Sequence, residues 1–211
     1  MESSARSISV TGHGSALTAP DTAVAHVSVE CLEPTVAGAF RGSEDRLTAV
    51  VNALHAAGVQ PVDVATSGRS LRAERRWKDG NDAGLLGYVA QGGLRVVIRS
   101  LPQAASVLQE AMDAGGEQLR LESFSLSVSD PAEAVRRARD AAWTDAVDRA
   151  RQLAEASGTR LGEVLSVDEG SLPSPLPSPV FARAALAGGG AGVQPGEEEV
   201  TVSVAVRWAI A

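Results

Sequence analysis

Hydrophobic and polar positions follow two rhythms along this chain, one of period 2 and one near 3.6, and the switches between them predict its elements. Ile8 and Val10 open a short strand, expected to stop at Thr11-Gly12-His13-Gly14 in a turn or bulge. A second strand is predicted from about Asp21 to Leu32. Val36, Phe40, Ser43, Leu47, Val50, Leu54 and Ala57 then recur at spacings of four and three, which predicts a helix with one apolar stripe. Gly58 supplies its stop.

Val62 to Glu74 reads as a strand, Arg75 to Gly84 as a polar hairpin tip turning at Lys78–Asp82, and Leu85 to Arg99 as the return strand. A short helix follows, with Pro102 near its start and Gly115-Gly116 at its end, and Leu119 to Ser129 reads as another strand. Asp130-Pro131-Ala132-Glu133 carries an N-cap, a proline at the first helical position and an acid three residues after the cap. The helix it opens runs to about Ser157, with Val135, Ala138, Ala142, Ala146, Ala150 and Leu153 as its apolar stripe. Leu161 to Glu169 and Glu199 to Ile210 read as strands; in the latter Val200, Val202, Val204, Val206, Trp208 and Ile210 alternate with smaller or polar residues. Between these two strands, residues 171–196 form a Pro/Gly-rich loop with Pro173, Pro175, Pro177 and Pro179.

The pattern gives an α+β fold: antiparallel-rich sheets packed by two long helices and one short one, with strand–helix–strand units that repeat. A chain of 211 residues can bury about 70% of its unfolded surface, so one domain over 7–210 is expected, dividing into at most two lobes near 7–85 and 86–210.

Charge and cysteine usage narrow the function. The net charge is −7, and of 19 basic residues only Lys78 is a lysine, which argues against nucleic-acid partners and lysine chemistry. The single cysteine, Cys31, falls on the apolar face of its strand and reads as a small buried hydrophobe. His13, His26 and His55 are not at metal-ligand spacing; His26 sits on the polar side of its strand and reads as a surface histidine. Gly12-His13-Gly14 lacks the third glycine of a dinucleotide loop, and neither G-x-S-x-G nor S-x-x-K occurs. No catalytic, cofactor-binding or metal-binding residues are therefore assigned. No apolar run begins the chain or spans a bilayer, so the chain reads as cytoplasmic, or as periplasmic or secreted if its natural start has been trimmed. Trp143 and Trp208 read as core residues. Trp77, in a charged hairpin tip, reads as part of an interface.

Several short motifs carry a resemblance. Ile8-Ser-Val-Thr-Gly-His-Gly14 with Ala19-Pro20-Asp21-Thr22-Ala23, Thr66-Ser67-Gly68, Gly87-Tyr88, Ser127-Val-Ser-Asp130 and Pro195-Gly196-Glu197 occur in that order. Together they resemble the SIMPL-domain family over residues 7–208, with Gly12, Gly14, Pro20, Asp21, Gly68, Tyr88, Asp130 and Pro131 as structural positions. The resemblance implies an α+β fold, bacterial relatives that include periplasmic immunogenic proteins, links to oxidative-stress resistance, and self-assembly. It transfers no catalytic residues.

The expectation is a non-enzymatic, self-assembling protein that acts through protein contacts, as a homo-oligomer, with a role in stress response. Its contact candidates are Trp77 and Lys78 in the hairpin and Pro173, Pro175, Pro177, Pro179 and Phe181 in the loop. The alternative is a small-molecule binder, or an enzyme with its site between subunits. A further idea is consumption of oxidant at Cys31.

Overall fold

The computed structural model describes residues 6–79, 81–170 and 195–211. They form seven strands and three α-helices in two compact units. The first unit is built from residues 6–20, 128–170 and 196–211, the second from residues 21–127. The boundary expected near 85/86 would fall inside one strand; the chain instead leaves the first unit after Pro20 and returns to it at Val128.

The second unit contains β2 (Thr22–Glu33), α1 (Val36–Ala56), β3 (Val64–Lys78), β4 (Asn81–Ile98), α2 (Ala104–Gly115) and β5 (Leu119–Ser127). Its sheet order is β3-β4-β2-β5, and every neighbouring pair is antiparallel. Strands β2 and β3 are thus parallel to each other with β4 between them, and β4 and β5 are parallel with β2 between them. The result is two interleaved split β-α-β units. A third strand–helix–strand run, β5 through the next helix, starts in this sheet and ends in the other.

Ala23, Ala25, Val27 and Val29 of β2 and Leu94, Val96 and Ile98 of β4 meet Leu47, Val50 and Leu54 of α1 and Val107 and Ala111 of α2 in one core. A buried Leu or Val side chain contributes roughly 1.5–3 kcal/mol, so this cluster dominates the stability of the unit. The apolar stripe of α1 starts later than its spacing predicts. Val36 and Phe40 are exposed, and Ala39 and Ser43 are the first buried residues. Thr35 caps the helix, its hydroxyl accepting the Gly38 N–H. At the other end Gly58, with φ 92°, takes the left-handed conformation that terminates it. Residues Pro61–Asp63 form a short 3-10 turn before β3, and the exposed Val62 does not belong to the strand. Asp63 is buried and accepts two hydrogen bonds from the Arg99 guanidinium, both 2.7 Å.

The first unit contains β1 (Ser7–Thr18), α3 (Ala132–Ala156), β6 (Leu161–Glu169) and β7 (Glu198–Ile210), with sheet order β1-β7-β6. The turn expected at Gly12-His13-Gly14 is absent: β1 runs through it, paired residue by residue with β7 from Ser7↔Ala209 to Thr18↔Glu198. The glycines serve the helix instead. A Cβ on Gly12 would stand 2.1 Å from the Ala142 carbonyl oxygen, and one on Gly14 would stand 2.1 Å from that of Ala138. α3 meets the sheet through Ala134, Ala138, Ala142, Ala146, Ala150 and Ala154, so Leu153 of the predicted stripe stays exposed and Val135 is only partly buried. Helix and strand approach to backbone distance because neither side carries more than a methyl group. The helix itself opens at Ala132, after the predicted proline, and the Asp130 carboxylate accepts the Ala132 N–H at 3.0 Å.

Candidate functional site

The β3–β4 hairpin is longer than predicted. Residues expected to be a polar tip continue both strands, and Lys78 pairs with Asn81 across a turn in which Asp79 has φ 51°. Strand β2 ends at Glu33, opposite Tyr88. Beyond Ala73↔Tyr88 the hairpin is therefore a two-stranded ribbon paired only with itself. One ion pair, Arg75 with Asp82, closes across it. Arg75 donates to Asp82 at 2.7 Å and Asp82 accepts the Gly84 N–H at 2.9 Å, which together hold the Asp82 carboxyl below the usual carboxylate range. Its apolar side chains are not answered: Trp77 is 67% exposed, Leu85 52% and Leu86 42%, and Leu71, just below the ribbon on β3, is 45% exposed. Tyr88, at the root of the arm, is half-buried.

A second feature lies on the sheet face opposite α1 and α2. Register places Gly68 of β3, Gly93 of β4 and Ser28 of β2 side by side across the sheet. Each edge strand is irregular at this level. β3 shifts register between Thr66 and Gly68, leaving Ser67 as the extra residue, and β5 shifts opposite His26/Val27, leaving Glu122. Both bulged residues turn over the floor. A Cβ on Gly93 would meet the Ser67 hydroxyl at 2.6 Å, and the Glu122 carboxylate accepts the hydrogen bond of the buried Ser28 hydroxyl. The cleft between them has a volume of about 690 Å³ and is also lined by His26, Ser70, Gln91 and Ser123. His26, read from sequence as a surface residue, is half-buried in this lining.

The remaining predicted positions separate into structural parts. Gly12 and Gly14 seat α3, as described above. Pro20 is buried at the point where the chain leaves the first unit, and the Asp21 N–H donates to the Ser127 carbonyl at 3.2 Å. Pro131 precedes α3, its carbonyl accepting the Val135 N–H at 2.9 Å. Lys78 lies at the tip of β3. Pro173, Pro175, Pro177, Pro179 and Phe181 lie outside the described residues. Trp143, expected in the core, is 39% exposed and packs its ring 6.3 Å from that of the buried Trp208. Cys31 is half-buried rather than enclosed, and burial pushes its thiol up, which keeps it protonated and a poor nucleophile at neutral pH. The His55 ring lies 2.9 Å from the Val59 carbonyl, at the end of α1.

Sequence reasoning gave no role to Ser28, Gln91 or Glu122, and met Ser67 only inside the Thr66-Ser67-Gly68 motif. Bulges leave no mark in a period-2 pattern, and only the register of three strands brings these residues together. Among the described residues, no group of three or more His, Cys, Asp or Glu is gathered as a metal site, and no helix is long and apolar enough to cross a membrane.

Comparison with known proteins supplies the family. The model of the SIMPL family, described as a protein of unknown function (DUF541), matches residues 8–208, and the chain belongs to that family. It is 29% identical over 177 residues to the 26 kDa periplasmic immunogenic protein of Brucella melitensis, covering 82% of this chain and 70% of that protein. The protein of the same name from Brucella abortus matches to the same extent. The uncharacterized protein YggE of Escherichia coli K12 is 28% identical over 160 residues, 76% of this chain and 64% of that protein.

Proposed function

We propose that this member of the SIMPL family is a self-assembling protein of the bacterial envelope that acts through protein contacts rather than catalysis, with the β3–β4 arm as its contact surface. The observation that carries this reading is the arm itself. A two-stranded ribbon is marginally stable alone, and this one presents Trp77, Leu85 and Leu86 to solvent, with the exposed Leu71 just below it on β3. Exposed aromatic and aliphatic side chains on a projecting element are what an interface core is made of. A second copy of the chain is the partner that suits an arm in which Arg75, Arg76 and Lys78 are matched in number by Glu74, Asp79 and Asp82, since it offers no net charge for an oppositely charged protein to read. The segment carrying Pro173 to Phe181, outside the described residues, is the second contact candidate in this reading. The periplasm replaces the cytoplasm as the proposed compartment, because the similar Brucella proteins carry that location in their names.

Size-exclusion chromatography with light scattering tests the proposal. The full chain is expected to run as one discrete oligomer. The double substitution Trp77→Ser with Leu85→Ser is expected to give a monomer with unchanged far-ultraviolet circular dichroism. A monomeric full chain, or an oligomer that survives both substitutions, overturns it.

A further inference from the structure

The open cleft of the four-stranded sheet serves neither the core nor the arm, and its construction is specific. Two bulges on opposite edge strands, Ser67 in β3 and Glu122 in β5, occur at the level where the two central strands pair Gly93 with Ser28. A bulge re-aims one side chain at the expense of ladder hydrogen bonds, and bulges concentrate beside functional sites. Here both re-aimed side chains are polar and both converge on a floor of small residues, Gly68, Gly93 and Ser28. The cleft, of about 690 Å³, has the volume of a small-molecule site.

The chemistry of the walls selects the ligand. Ser67, Ser70, Ser123, Gln91 and His26 line it with groups that accept as well as donate hydrogen bonds. Two residues of the lining are of charged type, and one of them, Arg69, sends its side chain to the α1 side of the sheet. The Arg69 guanidinium is engaged by Glu44 of α1 at 3.1 Å. Glu122 has no cationic partner among the described residues; one of its oxygens, Oε1, accepts from Ser28, and Oε2 takes no hydrogen bond from them. A carboxylate held over a hydroxyl-lined floor, with no arginine to neutralise it, is complementary to an ammonium group. We infer that this cleft binds a small organic amine, its ammonium on Glu122 and its neighbouring polar groups on Ser67, Gln91 and Ser123. The ligand is bound within the four-stranded sheet of a single chain, so the site does not depend on assembly.

Amide chemical shifts of the full chain, titrated with putrescine at constant ionic strength, provide the test, with succinate as the anionic probe of similar length. Putrescine is expected to give saturating shifts at Ser28, Gly68, Gly93 and Glu122, and succinate none. Glu122→Gln keeps the Oε1 acceptor for Ser28 while removing the charge, and is expected to weaken putrescine at least about tenfold, the loss of a charge-assisted bond. Ser67→Ala, which leaves the sheet intact, is expected to weaken it further when combined with Glu122→Gln. Absence of saturating shifts with putrescine, equal response to succinate, or unchanged affinity in Glu122→Gln overturns the inference.

Discussion

Helix α1 lies on its sheet through Leu47, Val50 and Leu54, whereas α3 lies on its sheet through six alanines. The two seats depend on different physics. The α1 seat works by area: each large side chain removes enough apolar surface from water to contribute a few kcal/mol, and neighbours can adjust around it. The α3 seat works by distance. An alanine buries a single methyl, so the contact gains by bringing helix and strand backbones together, and Gly12 and Gly14 make that approach sterically possible. A seat of the first kind is weakened by removing atoms. A seat of the second kind is weakened by adding them.

Substitutions that exchange these vulnerabilities give the largest effects. Gly14→Val adds atoms where a Cβ already stands 2.1 Å from the Ala138 oxygen and 2.3 Å from the Ala142 nitrogen. Both are backbone atoms that no side-chain rotation can clear, so the cost is expected at the upper end of overpacking, about 3 kcal/mol or more in urea unfolding. The near-ultraviolet circular dichroism of the Trp143–Trp208 pair in the same unit should change with it. Leu54→Ala, the converse operation under α1, should cost about 2–3 kcal/mol by leaving a cavity, with the tryptophan pair's spectrum unaltered. Equal and small effects of the two would remove the distinction between the seats.

The smallest expected effect sharpens the α3 seat electrostatically. The Asp145 carboxyl is held below its usual range first by the His13 backbone N–H at 2.8 Å and then by Arg149. A carboxyl lowered by folding contributes stability above its unfolded value near 4, and that contribution fades as pH falls through the lower folded value. Asp145→Asn should therefore be slightly less stable than the parent at pH 7 and converge with it as pH falls below the ordinary carboxylate range. A difference that grows on acidification would contradict the assignment.

Much of this architecture is legible in the residues. The alternating valines of β7 and the cap before α3 predict elements that match the structure to within two residues at either end. The motif order over residues 8–208 points to the correct family. Gly12-His13-Gly14 misleads because a glycine that terminates a strand and a glycine that admits a helix look alike in one sequence. What distinguishes them is the alanine at 142, whose proximity is a product of folding. The polar run Arg75 to Gly84 misleads for a related reason. Charge suggests a loop, yet Arg75 and Asp82 pair across the ribbon and let the strands continue. The cleft is invisible at the sequence level, since Ser28, Ser67 and Glu122 meet through the registers of separate strand pairs.

The central claim is that the β3–β4 arm is an interface and not merely an exposed ribbon. Hydrogen exchange of the unmodified chain, measured at low and high protein concentration, tests it most directly, because a two-stranded ribbon open on both edges exchanges readily unless something covers it. The account predicts that amide protection over residues 74–78 and 81–87 rises with concentration while that of α3 and β7 stays constant. Exchange in the arm that is rapid and identical at both concentrations would contradict it.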